Sequence, residues 1–295
     1  MAGELMAAIR AHILDPPQSE STYRTSIEAA MPQQMITRPE IVVCAVTAPG
    51  KPRLQLHFGY ATATVAGKNN EDFHGIVTPL EEPEAQTRGI AVAIADGVSG
   101  NGGGRLASET VVKSLLRDFY AAPAAWTIKQ ALDKLLRATN DWLWSENTRH
   151  PEYEGMVTTL TTMVFRDNHY HLAHVGDTRV YRRRGAVLKQ LTIDHTWARS
   201  DMRHVLKRAV GLDTHLVADY TDGELIPGDV FLMATDGVWE VLGERVVREI
   251  MEAGQSPESV ASGLVEQSIK NQVKYMGRND ATAIVIAVQE LSASA

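Results

Sequence analysis

Two apolar runs in this chain end in the same way. AVAIADGV and VFLMATDGV each finish in Asp-Gly followed by valine, supplying Asp96-Gly97 and Asp236-Gly237. A third run, HLAHVGDTR, ends in Gly176-Asp177. A strand end is a rigid place from which to project a carboxylate into a cleft. The adjoining glycine permits a tight turn and leaves its carbonyl free to act as a ligand. Glu71 and Asp72 of NNEDF and Asp280 of RNDAT complete an oxygen-only donor set. Such donors, without His or Cys, select hard cations, Mg²⁺ or Mn²⁺, over zinc. Carboxylates crowded together repel one another, and divalent ions resolve that repulsion. Two ions about 3.5–4 Å apart can hold a bridging water, lower its pKa and clamp an in-line phosphoryl displacement. Taken singly, each Asp-Gly is an ordinary turn. The joint pattern carries the expectation.

The glycine-rich segment after Asp96, GVSGNGGGR, invites a competing reading as a phosphate cradle. It lacks the Lys-[Ser/Thr] of a P-loop, and Arg105 stands where G-x-G-x-x-G requires its last glycine. The segment therefore reads as a metal turn. Asp96 and the Gly97 carbonyl are its chemistry, and Gly100 and Gly102 to Gly104 let the chain turn into a helix beginning near Arg105. His57, His169, His171 and His174 lie on strand-like segments and read as structural.

The elements that must position these groups begin near Leu54. Strand-like runs are LHFGYATATVA, GIAVAIAD, TLTTMVFRD, HYHLAHVGD, RVYRRRG, DVFLMATD and ATAIVIAV, rich in β-branched residues and in part alternating with period two. Helical stretches over 105–120 and 127–148 fall between the second and third runs, and a second pair over 243–253 and 257–275 between the last two. Closely spaced strands between helix pairs indicate antiparallel meanders and an α+β fold, with helices covering a sheet core. Residues 1–53 read as an N-terminal extension, with a short amphipathic helix over 4–13. Residues 54–291 read as one catalytic domain.

The bulk properties narrow the partners. The 295-residue chain carries a net charge of −7, which argues against nucleic acid as a main partner. Arg182-Arg183-Arg184 before Gly185 reads as a solvated hairpin tip. Cys44 is the only cysteine, so neither an internal disulfide nor a cysteine zinc cluster can form. No run approaches the ~20 apolar residues that span a bilayer. A cytoplasmic protein with no membrane partner is expected.

In this order, the motifs resemble those of the metal-dependent protein phosphatases of the protein phosphatase 2C family. NNEDF looks like the N-E-D box, and ADGVSGNGGGRLAS resembles A-D-G-[MV]-G-G-x-x-x-G-x-x-A-S. GMVTTLTTMVF resembles the G-T-T strand. HVGDTRVYRRRGAVLKQLTIDHT resembles G-D-S-R-x-Y-x-x-R-x-G-x-L-x-x-L-T-x-D-H-[ST]. LKRAVG and GDVFLMATDGVWEVL match the segments that follow, and RNDATAIVI stands in the place of the closing D-N-x-T box. The resemblance covers about residues 56–288.

It implies a four-layer α-β-β-α sandwich, two antiparallel sheets flanked by helix pairs. The implied activity is hydrolysis of phosphoserine and phosphothreonine in phosphoprotein substrates with Mn²⁺ or Mg²⁺, opposite a Ser/Thr kinase. By the same resemblance Asp96 bridges two ions, and Asp236 and Asp280 hold the first. The Gly97 carbonyl and the Glu71/Asp72 pair hold the second, and Asp177 supports a third, weaker site. The implied nucleophile is water activated by the metals at Asp96 and Asp236, not a side chain.

Four positions depart from the family pattern. Gly67 replaces the arginine that grips substrate phosphate, leaving Lys68 beside it as a point charge rather than a bidentate fork. The last box is inverted, so that Asn279 stands in the metal aspartate's place and Asp280 follows; Asn279 is thus the alternative ligand to Asp280. Val157 replaces a common glycine. The segment between DHTW and LKRAVG, residues 198–205, is short where bacterial relatives carry a longer flap. The missing arginine and the inverted last box motivate one rival expectation, a degenerate fold acting as a regulatory or binding module.

Overall fold

A computed structural model of the chain describes residues 45–46, 54–65, 69–78, 88–98, 103–149, 155–197, 205–275 and 279–290. In chain order these form β1 (Ala45–Val46), β2 (Leu54–Ala63), β3 (Asp72–Val77), β4 (Ile90–Asp96), α1 (Gly103–Ala121), α2 (Ile128–Arg149), β5 (Leu160–Arg166), β6 (His169–Val175), β7 (Arg179–Arg184), β8 (Val187–Gln190), β9 (Asp219–Glu224), β10 (Val230–Ala234), α3 (Asp236–Ala253), α4 (Pro257–Tyr275) and β11 (Ala281–Glu290). The helix read over 4–13 and nearly all of the 1–53 extension lie outside the described residues.

Alternation along each strand builds the layers. In β4, Ile90, Val92 and Ile94 enter one core cluster, while Ala91, Ala93 and Ala95 enter another beneath the first helix pair. Six strands pair in the order β1-β2-β11-β10-β7-β8 and five in the order β3-β4-β5-β6-β9, every pair antiparallel. Between the sheets lie Phe58, Met163, Phe165, Phe231, Ile284 and Ile286. Helices α1 and α2 cover the five-stranded sheet through Val112, Leu115, Leu116, Leu132 and Leu136. Helices α3 and α4 cover the six-stranded sheet through Val247, Met251, Leu264 and Val265. The α+β four-layer sandwich is as expected. Burial of apolar area on both faces of both sheets holds it together.

The inner row changes character at one end. Asp96 continues the row of Ile90, Val92 and Ile94, and buried Thr62, Asp72, Thr161 and Thr282 lie at the same end of their strands. The sheet interior thus passes from apolar to polar along its length. This polar end carries the site.

Local differences from the sequence reading have physical causes. Strand β3 begins at Asp72 and is absent from the strand-like runs because its interior glycine and histidine hide the alternation. Strand β9 is an edge strand of largely exposed polar residues, DYTDGE, so no apolar period marks it. The helix expected over 243–253 begins at Asp236 and is broken by Gly243 at φ 73°, a backbone region open to glycine. The triple arginine does end a hairpin, with Gly185 at φ 58°. Arg184 nevertheless makes two 2.7 Å bonds to the fully buried Asp229.

Candidate metal centre

Register brings the acidic groups together. Strands β3 and β4 pair Asp72 directly opposite Asp96, an arrangement that is unfavourable for two bare like charges. The backbone around Asp96 is fixed from the neighbouring strand. Its N–H donates to Thr159 Oγ1 at 2.8 Å, and its carbonyl accepts from the Thr159 N–H and from Thr158 Oγ1 at 2.9 Å. Thr235 Oγ1 donates to Asp72 Oδ2 at 2.9 Å and itself accepts from the Thr282 N–H. The other carboxylate oxygen of Asp72 is buried and has no hydrogen-bond partner.

The Asp-Gly turn is tightly enclosed. The Gly97 N–H donates to the Glu71 carbonyl at 3.1 Å. A Cβ on Gly97 would overlap the Gly104 carbonyl and lie 2.8 Å from the Glu71 carbonyl, so only glycine fits. The expected helix start near Arg105 lies at Gly103. Gly104 is needed for the same close approach: a Cβ there would lie 2.9 Å from Glu71 Oε1 and from the Gly97 carbonyl carbon. Ser108 of α1 donates to the Glu71 carbonyl at 2.6 Å, which ties the N-E-D segment to this helix.

Asp177 stands on the turn after β6. Gly176, at φ 113°, donates its N–H to His195 Nδ1 at 3.1 Å. The Asp177 carbonyl accepts from Trp239 Nε1 at 3.1 Å. The Arg179 guanidinium lies 3.4 Å above the Trp239 ring and grips Asp194 with bonds of 3.0 and 2.7 Å. Asp236 opens α3, and Asn279 Nδ2 donates to its Oδ2 at 3.2 Å. Asp280 Oδ2 accepts from the Glu71 N–H at 2.8 Å.

One cleft of about 430 Å³ is lined by Asp96, Gly97, Asp177, Asp236, Asn279 and Asp280 on its acidic side. Burial raises Asp96 and Asp72 well above the ordinary carboxylate range. Asp72, Asp236, Asp177 and Asp280 all push Asp96 further the same way, and Asp280 and Asp236 do so for Asp72. Burial, then Asp236 and Asp194, raise Asp177 to about 7. Burial, then Glu240, raise Asp236 to about 6. Buried carboxylates that resist ionisation call for compensating positive charge.

The donors fit a hard divalent cation: all are oxygens, and the Asp72 oxygen left without a partner is buried among them. The carboxylates share a cleft without closing into a cage. Among the described residues, no group of three His, Cys, Asp or Glu side chains is placed to hold an ion by itself. The fit therefore rests on donor chemistry and on that buried oxygen. Glu71, Asp72, Asp96, Gly97, Asp177, Asp236, Asn279 and Asp280 all belong to this one end of the sandwich. Lys68 and Gly67 lie outside the described residues.

Sequence reasoning missed the supporting groups Thr159, Thr235, His195, Arg179 and Trp239. The one available signal was threonine placed within or beside strands whose other inward positions are apolar, as in TLTTMVF and FLMATD.

Comparison with known proteins bears on the same residues. The family model for Protein phosphatase 2C matches residues 61–274. A serine/threonine protein phosphatase, PstP, of Mycobacterium tuberculosis is 28% identical over 229 residues, covering 72% of this chain and 43% of that protein. The chain thus spans less than half the length of that relative. A serine/threonine phosphatase, stp, of Listeria monocytogenes is 26% identical over 237 residues, covering 74% of this chain and 90% of that protein. The crystal structure of the PstP catalytic domain in complex with two manganese ions superposes with a TM-score of 0.65 at 26% identity, covering 80% of this chain and 100% of that one. Among the described residues no helix is long and apolar enough to cross a membrane. The matched segment takes in Glu71, Asp72, Asp96, Asp177 and Asp236, and the chain belongs to the protein phosphatase 2C family.

Proposed function

We propose that this protein is a metal-dependent protein serine/threonine phosphatase, with residues 54–291 as its catalytic domain. The carrying observation is that Asp96, Asp177, Asp236 and Asp280 line one cleft, with Asp72 paired directly opposite Asp96. Two Mn²⁺ or Mg²⁺ ions, with a third, weaker site near Asp177, would supply the charge that neutralises the phosphate and lowers the pKa of an attacking water. Asp96 is the central ligand. Asp236, Asp72 and Glu71 flank it, and the Gly97 carbonyl contributes one donor.

The chain's own part is positioning. Thr235 orients Asp72, and Thr158 and Thr159 fix the backbone at Asp96. Among the described residues lining the cleft there is no Ser, Cys or His, and the Thr159 hydroxyl is engaged by the Asp96 N–H and by Thr178 Oγ1, which supports direct attack by water. In the inverted last box, Asn279 lies against Asp236 while Asp280 latches the Glu71 backbone. We assign the ligand position beside Asp236 to Asn279, with Asp280 as a further donor at the back of the cleft. Phosphoproteins modified by a Ser/Thr kinase are the substrates, in a cytoplasmic setting.

The second reading, a regulatory module with little turnover, rests on the Asn279 amide. An amide is a weaker ligand than a carboxylate and donates a hydrogen bond to Asp236. Hydrolysis of a phosphothreonine peptide with Mn²⁺, with Mg²⁺ and with chelator separates the two. Metal-dependent turnover that Asp96→Asn and Asp236→Asn abolish in folded protein supports the enzyme. No turnover with either metal, even after Gly67→Arg, supports the module.

A further inference from the structure

The cleft has two kinds of lining. Besides the carboxylates, Val98, Val157, Val205, Leu206 and Leu212 form an apolar wall, and no Lys or Arg lines it among the described residues. Three of these apolar side chains are partly exposed to solvent: Val98 is 39% exposed, Val205 37% and Leu212 40%. Apolar side chains that share a cleft with a few polar groups are the usual lining of a ligand site. The wall is also held in place by main-chain bonds. The Val98 N–H donates to the Val157 carbonyl at 2.9 Å, and Thr158 and Val210 exchange bonds of 3.1 and 2.8 Å behind it.

We propose that this wall selects phosphoprotein substrates by seating a bulky apolar side chain immediately beside the phosphorylated residue. The inference rests on the phosphatase reading and names the substrate class of that same cleft. Continuity decides the occupant. The wall and the acidic side line a single cavity, so a phosphorylated residue at the carboxylates puts its chain neighbours against the valines and leucines. Charge points the same way. An acidic flank would find no cationic partner among the described residues of the lining and would approach a chain of net charge −7. Burial of one apolar side chain against such a wall discriminates by about tenfold or more.

The test compares two phosphothreonine peptides, one with leucine and one with glutamate at the positions on either side of the phosphorylated residue. The readout is the ratio of their kcat/KM values with Mn²⁺, so that any general loss of activity cancels. The wild type is expected to favour the leucine peptide at least tenfold, mainly through KM. Leu212→Ser and Val205→Ser, at partly exposed positions, are each expected to reduce that ratio several-fold. Equal rates on the two peptides, a preference for glutamate, or an unchanged ratio in both variants would overturn the proposal. A concentration-dependent dimer without peptide selectivity would overturn it in favour of a second copy of this chain as the occupant. Hydrolysis of p-nitrophenyl phosphate is measured alongside. If it proceeds without peptide selectivity, the wall proposal alone fails. If neither that ester nor any peptide is turned over, the phosphatase reading fails and takes the wall proposal with it.

Discussion

Restoring a carboxylate beside Asp236 is the most informative perturbation of the inverted box. In Asn279→Asp, a hydrogen-bond donor 3.2 Å from Asp236 Oδ2 becomes a second negative charge at similar range. At an effective dielectric constant of 20, two charges at that separation repel by about 5 kcal/mol. Asn279 is exposed, and solvent screening reduces the figure to about 1–2 kcal/mol. Without metal the variant should unfold at a lower temperature than the wild type by a few degrees. A divalent ion cancels the repulsion, so the same energy appears as tighter binding, about 5–30-fold. Calorimetric titration with Mn²⁺ and thermal unfolding in chelator read the two halves separately. Asp280→Asn is the control. An asparagine carbonyl can still accept the Glu71 N–H that Asp280 now takes at 2.8 Å, so the fold is kept and Mn²⁺ affinity should fall by well under tenfold, through the loss of one charge at the back of the cleft. If Asn279→Asp leaves affinity and chelated stability untouched while Asp280→Asn weakens binding tenfold, Asp280 holds the ligand position and the assignment to Asn279 is wrong.

Two further outcomes concern the scaffold. Arg184→Ala should cost about 3 kcal/mol or more in urea unfolding, because it strands the fully buried Asp229 without its cation; a loss below 1 kcal/mol would mean that water reaches Asp229. Acid should weaken the fold through the buried His174 and the partly buried His74, whose imidazoles desolvation pushes down from 6.5 to about 4. A depressed folded pKa places the stabilisation above pH 6.5 and removes it as pH falls toward 4, at most about 3 kcal/mol per histidine. His174→Gln should flatten the stability–pH curve over that window, and an unchanged slope would assign it to other groups.

How far the sequence foretold this site depends on which interactions build it. The carboxylates were legible because strand ends announce themselves: an apolar run stops, an Asp-Gly follows, and the same design recurs at Asp96 and Asp236. The helix pairs were legible as well, except that the third helix starts at Asp236 rather than near residue 243. The opposition of Asp72 to Asp96 was not, because it depends on the register of two strands, one of which carries no readable alternation. The Arg179–Trp239 stack was hidden for a similar reason. Arg179 begins β7 and Trp239 lies in the first turns of α3, and only the folded sandwich brings them together beneath Asp177.

The glycines after Asp96 show how a local signal can be read correctly in kind and incompletely in cause. Their density suggests freedom to turn, yet Gly103 and Gly104 are already helical. What they supply is room. The Gly97 turn and the first turn of α1 approach so closely that a Cβ on Gly97 or on Gly104 would collide with the other's backbone. That contact seats the Asp96 turn against a helix that also holds the Glu71 carbonyl through Ser108. Two of the donor segments are thereby locked to one rigid element. A buried cluster of like charges needs such a scaffold, since each carboxylate left to itself would move away from the others.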